Sequence, residues 1–120
     1  MASQGPKGIT RLIKAARYSW QGFKAAYTHE EAFRQEIILA IITIPLGLYL
    51  GDNGLEKALL VSVILLILIV ELFNSGLEAI TDRVGTDHHE LSGRAKDIGS
   101  SAVLLSLINA AVVWGLVLFN

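Results

Sequence analysis

The feature that most constrains this chain is the stretch 98–119, which contains no Asp, Glu, Lys or Arg over 22 residues. As an α-helix it rises about 33 Å, roughly the thickness of one hydrocarbon core. A second stretch, 58–77, is also long enough to span, with Glu71 as its only charge. A third, 37–50, is shorter and needs residues 32–36 to complete its interfacial turn. With only 120 residues there is room for one domain, and its apolar content lies in long runs instead of alternating or amphipathic elements. The expected architecture is therefore an all-α membrane protein with three transmembrane helices: 32–50, 56–80 and 98–119. A connecting segment at 81–97 and a surface helix at 7–29 complete the single domain 1–120.

The surface helix follows from a different pattern. Ile9, Leu12, Ile13, Ala16, Trp20, Phe23 and Tyr27 recur at three- and four-residue steps, while Lys7, Arg11, Lys14, Arg17 and Lys24 project to the sides and back. A basic amphipathic helix carrying Trp and Tyr suits the headgroup layer, where anionic lipid attracts the cations and the rings anchor the apolar face. Residues 1–29 hold no acid; all eleven acids come later. The basic end predicts a cytoplasmic N-terminus. The connector Gly51-Asp52-Asn53-Gly54 reads as a helix stop and tight turn with only Lys57 nearby, whereas 81–97 holds Arg83, Arg94 and Lys96. This bias gives N-in, C-out, with the first two spans as an antiparallel hairpin. Pro45 removes one backbone donor inside the first span and is expected to kink it. With no cysteine, disulfides and thiolate metal sites are excluded. The first apolar run starts far from Met1 and lacks a small-residue cleavage site, so the first span is expected to remain in the mature protein.

Chemistry is expected where a carboxylate interrupts the second span. An ionisable group inside a membrane is costly and faces a partner, a cavity or a reacting group. From Glu71, Asn74, Ser75, Glu78 and Asp82 follow at steps of three, four, seven and eleven, so one helical stripe holds three carboxylates, an amide and a hydroxyl. Glu71 and Glu78 stand about 10 Å apart along the axis, too far to share one proton or one ion, and so have separate roles. Low dielectric disfavours a charged carboxylate, which suits Glu71 to accept a proton from an alcohol near neutral pH. Glu78, nearer water, is better placed to hold Mg²⁺, a hard cation that prefers carboxylate, water and phosphate oxygens, with Glu30 as a second ligand. The segment 82–97 adds Arg83, His88, His89, Arg94 and Lys96 beside the stripe, a cationic cluster suited to an anionic ligand. The stripe read alone also fits inter-helix hydrogen bonding, and the charged segment alone also fits a solvated juxtamembrane loop. There is neither a Gly-x-x-x-x-Gly-Lys-Ser/Thr loop nor a Gly-x-Gly-x-x-Gly, so a nucleotide would be bound without either glycine-rich device.

Several blocks resemble prokaryotic diacylglycerol kinase: Lys14-Ala15-Ala16-Arg17-Tyr18-Ser19-Trp20, Glu31-Ala32-Phe33-Arg34-Gln35-Glu36, Val70-Glu71-Leu72-Phe73-Asn74-Ser75, Glu78-Ala79 and, most specifically, Glu90-Leu91-Ser92-Gly93-Arg94-Ala95-Lys96-Asp97. The resemblance implies a homotrimer of three-span subunits in the bacterial cytoplasmic membrane. Its sites are shared between neighbouring subunits and use Mg²⁺ and ATP to turn diacylglycerol into phosphatidic acid, with no nucleic-acid partner. Carried over by position, it implies Glu71 as catalytic base, Asn74 as its support, and Glu30 and Glu78 as metal ligands. It implies ATP contacts from Arg11, Tyr18, Glu30, Glu78, Asp87, His88, His89, Lys96 and Asp97. It implies lipid contacts from Arg11, Ser19, Trp20, Lys24, Tyr27, Ala32, Phe33, Arg34, Gln35, Glu36, Glu71 and Ser100. Better-known members read Glu-Tyr-His where this chain has Asp87-His88-His89.

Two other readings are open at this level. Undecaprenol kinase shares the Glu-x-x-Asn-Ser stripe; the Ser-Gly-Arg-Ala-Lys-Asp stretch and Trp114 look more like the diacylglycerol branch. A proton-coupled transporter also uses an intramembrane glutamate, but it needs polar steps reaching both faces, and 58–70 offers only Ser62.

Overall fold

The computed structural model describes residues 7–85 and 89–120. Within them the chain is helical in four elements: α1 Ile9–His29, α2 Glu31–Leu50, α3 Gly54–Val84 and α4 Glu90–Leu118. The last three are each long and apolar enough to cross a membrane. α3 packs against both α2 and α4 and forms the centre of the helical bundle, while α1 touches α2 and α3 near the 71–82 half of α3.

The α2–α3 corner is closed by local chemistry. Asn53 caps α3, its Oδ1 accepting the Glu56 N–H at 2.9 Å, and Glu56 Oε1 accepts the Asp52 N–H at 2.9 Å. This reciprocal pairing satisfies two backbone donors at a helix start. Gly51 is required by space: a Cβ there would stand 2.7 Å from Lys57 Cγ and 2.8 Å from its backbone nitrogen. The expected hairpin turn at 51–54 is therefore built as a capped, three-residue corner. α2 remains an unbroken helix through Pro45, in keeping with the tolerance of membrane helices for a lost donor.

The apolar core gathers Ala40, Val63, Ile64, Ile67 and Ala110, with Ile44, Leu68, Val113 and Trp114 packed around it. Small residues set the spacing. Gly47 lets α2 approach α3, since a Cβ there would meet Leu60 Cβ at 3.0 Å and the Trp114 ring at 3.5 Å. Trp114 then donates its indole N–H to the Leu60 carbonyl at 3.0 Å, tying α4 to α3. In hydrocarbon, where lipid tails are as apolar as leucine, close packing and such hydrogen bonds hold helices together.

The helices run further than the sequence boundaries indicated. α3 continues to Val84 and α4 begins at Glu90, so most of the 81–97 segment belongs to these two helices. No proline interrupts 81–84. The new helix is started by His89, whose Nδ1 accepts the Leu91 N–H at 3.0 Å, and its first turn carries a Glu90–Arg94 pair at 3.7 Å.

Candidate active site

The stripe on α3 is realised as one face. Glu71 is 3 % exposed, and Asn74, Ser75 and Glu78 follow it, each half-buried. Asn74 Nδ2 donates to Glu78 Oε1 at 3.2 Å, so the amide orients the carboxylate one turn further along. The buried oxygens Glu71 Oε2, Asn74 Oδ1 and Ser75 Oγ have no protein partner. Buried polar atoms are nearly always hydrogen-bonded in stable structures, so three unpartnered oxygens within five residues set this face apart from the apolar packing along 60–67.

Ser75, Glu78 and Asp82 open onto a cavity of about 800 Å³ between α1 and α3, whose other wall includes Ser19, Gly22, Phe23, Ala26, His29 and Glu30. Glu30 sits in the extended residue that ends α1 and precedes α2, which turns it toward the α3 carboxylates. Glu30 and Glu78 line the same cavity, and Glu71 lies two turns before Glu78 on α3. Glu36 Oε2 is itself buried and unpartnered. Concentrated carboxylates call for cations, because gathered negative charge must be paired or coordinated. The carboxylate donors are hard oxygens, and the His29 imidazole lines the same cavity. Among the described residues no three or more His, Cys, Asp or Glu converge as a metal cage. Two carboxylates, Glu30 and Glu78, on one cavity nevertheless fit Mg²⁺, which keeps several waters and takes the rest of its shell from phosphate oxygens.

The expected lipid contacts divide. Trp20, Lys24, Tyr27 and Phe33 line a second, largely apolar cavity of about 410 Å³ with Phe23, Thr28 and Ile37, in the crook between α1 and α2. Ser19 borders the first cavity, but its hydroxyl is bonded to Ala15 O at 2.9 Å. Arg34 is occupied structurally: its Nη1 donates to the Tyr27 and Thr28 carbonyls at 2.6 and 3.1 Å and closes the C-terminal end of α1. Ala32, Gln35 and Ser100 are exposed and border neither cavity.

The expected nucleotide contacts are more scattered. Lys96 Nζ lies 2.6 Å from Asp82 Oδ1, which joins α4 to the mouth of the first cavity. The hydrogen bond and charge of Asp82 push the Lys96 ammonium above the usual lysine range. Arg11 and Tyr18 are exposed on α1, away from the walls of the first two cavities. Asp97 borders a surface depression of about 410 Å³ on α4, with Glu90, Gly93, Arg94, Ile98 and Ser101. His89 caps α4, and Asp87 and His88 lie outside the described residues. Sequence reading gave Ser75 and Asp82 no role, although both wall the cavity; their steps from Glu71 were the available signal.

Residues 17–118 match the family model described as prokaryotic diacylglycerol kinase. The chain is 46 % identical over 113 residues to a diacylglycerol kinase of Escherichia coli K12, covering 94 % of this chain and 93 % of that one. It is 49 % identical over 112 residues to a diacylglycerol kinase of Haemophilus influenzae, covering 93 % and 95 %, and 44 % identical over 117 residues to one of Pseudomonas aeruginosa, covering 98 % and 95 %.

Proposed function

The chain belongs to the prokaryotic diacylglycerol kinase family, and from that premise we propose that it transfers the γ-phosphate of ATP to the hydroxyl of diacylglycerol, at the membrane face where α1 meets α3. The observation that carries the mechanism is the arrangement of carboxylates on α3. Glu71 is buried with an unpartnered oxygen, while Glu78 is held by Asn74 on a cavity that Glu30 shares.

Glu71 Oε2 accepts the hydroxyl proton as the lipid oxygen bonds to the γ-phosphorus and the bond to the β-phosphate oxygen breaks, so ADP leaves and no phosphoenzyme forms. Glu30 and Glu78 hold Mg²⁺, which when bound neutralises charge on the phosphates. Asn74 keeps Glu78 in place. Lys96, held in place by Asp82, supplies a fixed positive charge at the cavity mouth. Trp20, Tyr27 and Phe33 give the acyl chains an apolar crook, with Lys24 at its polar edge, and this confinement brings the headgroup hydroxyl toward Glu71. Arg11, Tyr18 and Asp97 stand away from the main cavity. In our reading they complete nucleotide sites shared between subunits of a homotrimer, with the N-terminus cytoplasmic, the C-terminus outside and α1 lying in the headgroup layer.

The test is radiolabel transfer from ATP by purified protein in mixed micelles, with and without Mg²⁺, offering diacylglycerol and undecaprenol in parallel. Label on diacylglycerol that requires Mg²⁺ is the expected result. Preferential label on undecaprenol would reassign the substrate, and no transfer from folded protein would overturn the mechanism.

A further inference from the structure

Asn74 makes its hydrogen bond to Glu78 with one edge of its amide, and the other edge lies against α4. The residue it meets there is Gly99, the first buried position of α4. A Cβ built at Gly99 would overlap Asn74 Oδ1, and would stand 3.3 Å from Asn74 Cγ and 3.1 Å from Leu77 Cδ2. These are side-chain atoms of α3, not its backbone. A methyl group at position 99 is therefore accommodated by turning the Asn74 side chain, with the helices left in place, and turning it withdraws Nδ2 from Glu78. By contrast, the additions at Gly47 and Gly51 would press on a Cβ and on backbone atoms, where the helices themselves must shift.

We propose that Gly99 is a positioning residue for the phosphoryl transfer: its missing side chain lets α4 back the Asn74 amide and so aims Glu78 into the cavity. Gly99 lies two residues beyond Asp97 and three beyond Lys96, on the helix whose Lys96 pairs with Asp82 at the cavity mouth. One close approach thus sets both the orientation of Glu78 on α3 and the approach of Lys96 on α4 to Asp82 at the same cavity. The inference rests on the assignment of Glu78 as a metal ligand. It adds that the ligand's geometry is fixed from a neighbouring helix by a residue that carries no functional group.

The experiment is a double-mutant cycle on the full chain in mixed micelles: parent, Gly99→Ala, Asn74→Ala and the pair. Mn²⁺ binding in the presence of a non-hydrolysable ATP analogue is followed by electron paramagnetic resonance, alongside transfer rate and thermal melting. Gly99→Ala is expected to weaken Mn²⁺ binding by about 10- to 100-fold, the usual effect of removing an outer-shell partner, with melting close to the parent. In the Asn74→Ala background the same change is expected to cost nothing further. Unaltered Mn²⁺ affinity in Gly99→Ala, or an equal loss in both backgrounds, would overturn the proposal. Should Gly99→Ala unfold, tolerance of it beside Asn74→Ala still supports the coupling, whereas unfolding in both backgrounds reduces Gly99 to a packing residue and overturns it. A parent that binds no Mn²⁺ would retire Glu78 as a ligand; transfer rates then decide the glycine, non-additive rates supporting it and additive rates overturning it.

Discussion

The two halves of α3 are built by opposite rules. Along 60–67, Leu60, Val63, Ile64 and Ile67 are buried against α2 and α4, and the Trp114 indole that reaches in finds the Leu60 carbonyl. Along 71–82, the buried face is Glu71, Asn74, Ser75 and Glu78, and three of its oxygens have no protein partner. The first half packs the three long helices together; the second keeps polar groups buried at a cost in stability, as functional sites commonly do. One continuous helix thus separates cohesion from chemistry by position alone.

This contrast can be broken by substitution, and the largest effect belongs to the polar half. Glu71→Gln is expected to lower transfer by about 10²- to 10⁴-fold, the usual contribution of a general base, with melting unchanged or raised, since an amide is cheaper to bury than a carboxylate. Retained turnover would reject Glu71 as the base. In the apolar half, Ile67→Ala should cost about 2 kcal/mol of stability, at the low end for core truncations because lipid replaces part of the lost transfer energy. Turnover per folded molecule should be kept; a selective loss of turnover in urea-titrated, fully folded samples would erase the division between halves. Trp114→Phe should lower stability by about 1 kcal/mol through the lost bond to Leu60, again without change in the Mg²⁺ dependence of transfer. The smallest effect is expected from Asp82→Asn. Lys96 is exposed and pairs at the surface, so melting at neutral pH should hardly move. Because the Lys96 pKa is raised in the folded protein, the pair's contribution is complete below the ordinary lysine value and is lost as pH rises through the raised one. A difference between parent and variant should therefore fade only in strongly alkaline solution, and one that fades near neutrality would contradict the pairing.

Much of this was legible in the residues. The three spans followed from uncharged length, the corner at 51–54 from its Gly, Asp and Asn, and the α3 stripe from its spacing around Glu71. What escaped was decided by contacts between distant residues. Arg34 reads as a charge at a membrane entrance, and only the approach of the α1 terminus turns it into a cap. Gly99 reads as a neutral small residue in a helix, and its meaning comes from Asn74, which only the packing of α4 on α3 brings to it. The 81–97 segment reads as a loop because it is charged, yet charge does not break a helix. Its Asp82–Lys96 pair then ties the end of α3 to the start of α4.

The length of α3 carries its own consequence. At 31 residues it extends about 46 Å, well beyond a hydrocarbon core of about 30 Å. It must lean or protrude, and the bilayer sets how far. With the 60–67 half seated among acyl tails, a thicker membrane draws Glu71 down into oil and a thinner one lifts it toward water. The lipid environment thereby acts as a depth gauge for the enzyme. Turnover in bilayers of graded acyl length is expected to pass through a maximum, and a flat response would mean that α3 changes its tilt freely enough to hold Glu71 at constant depth.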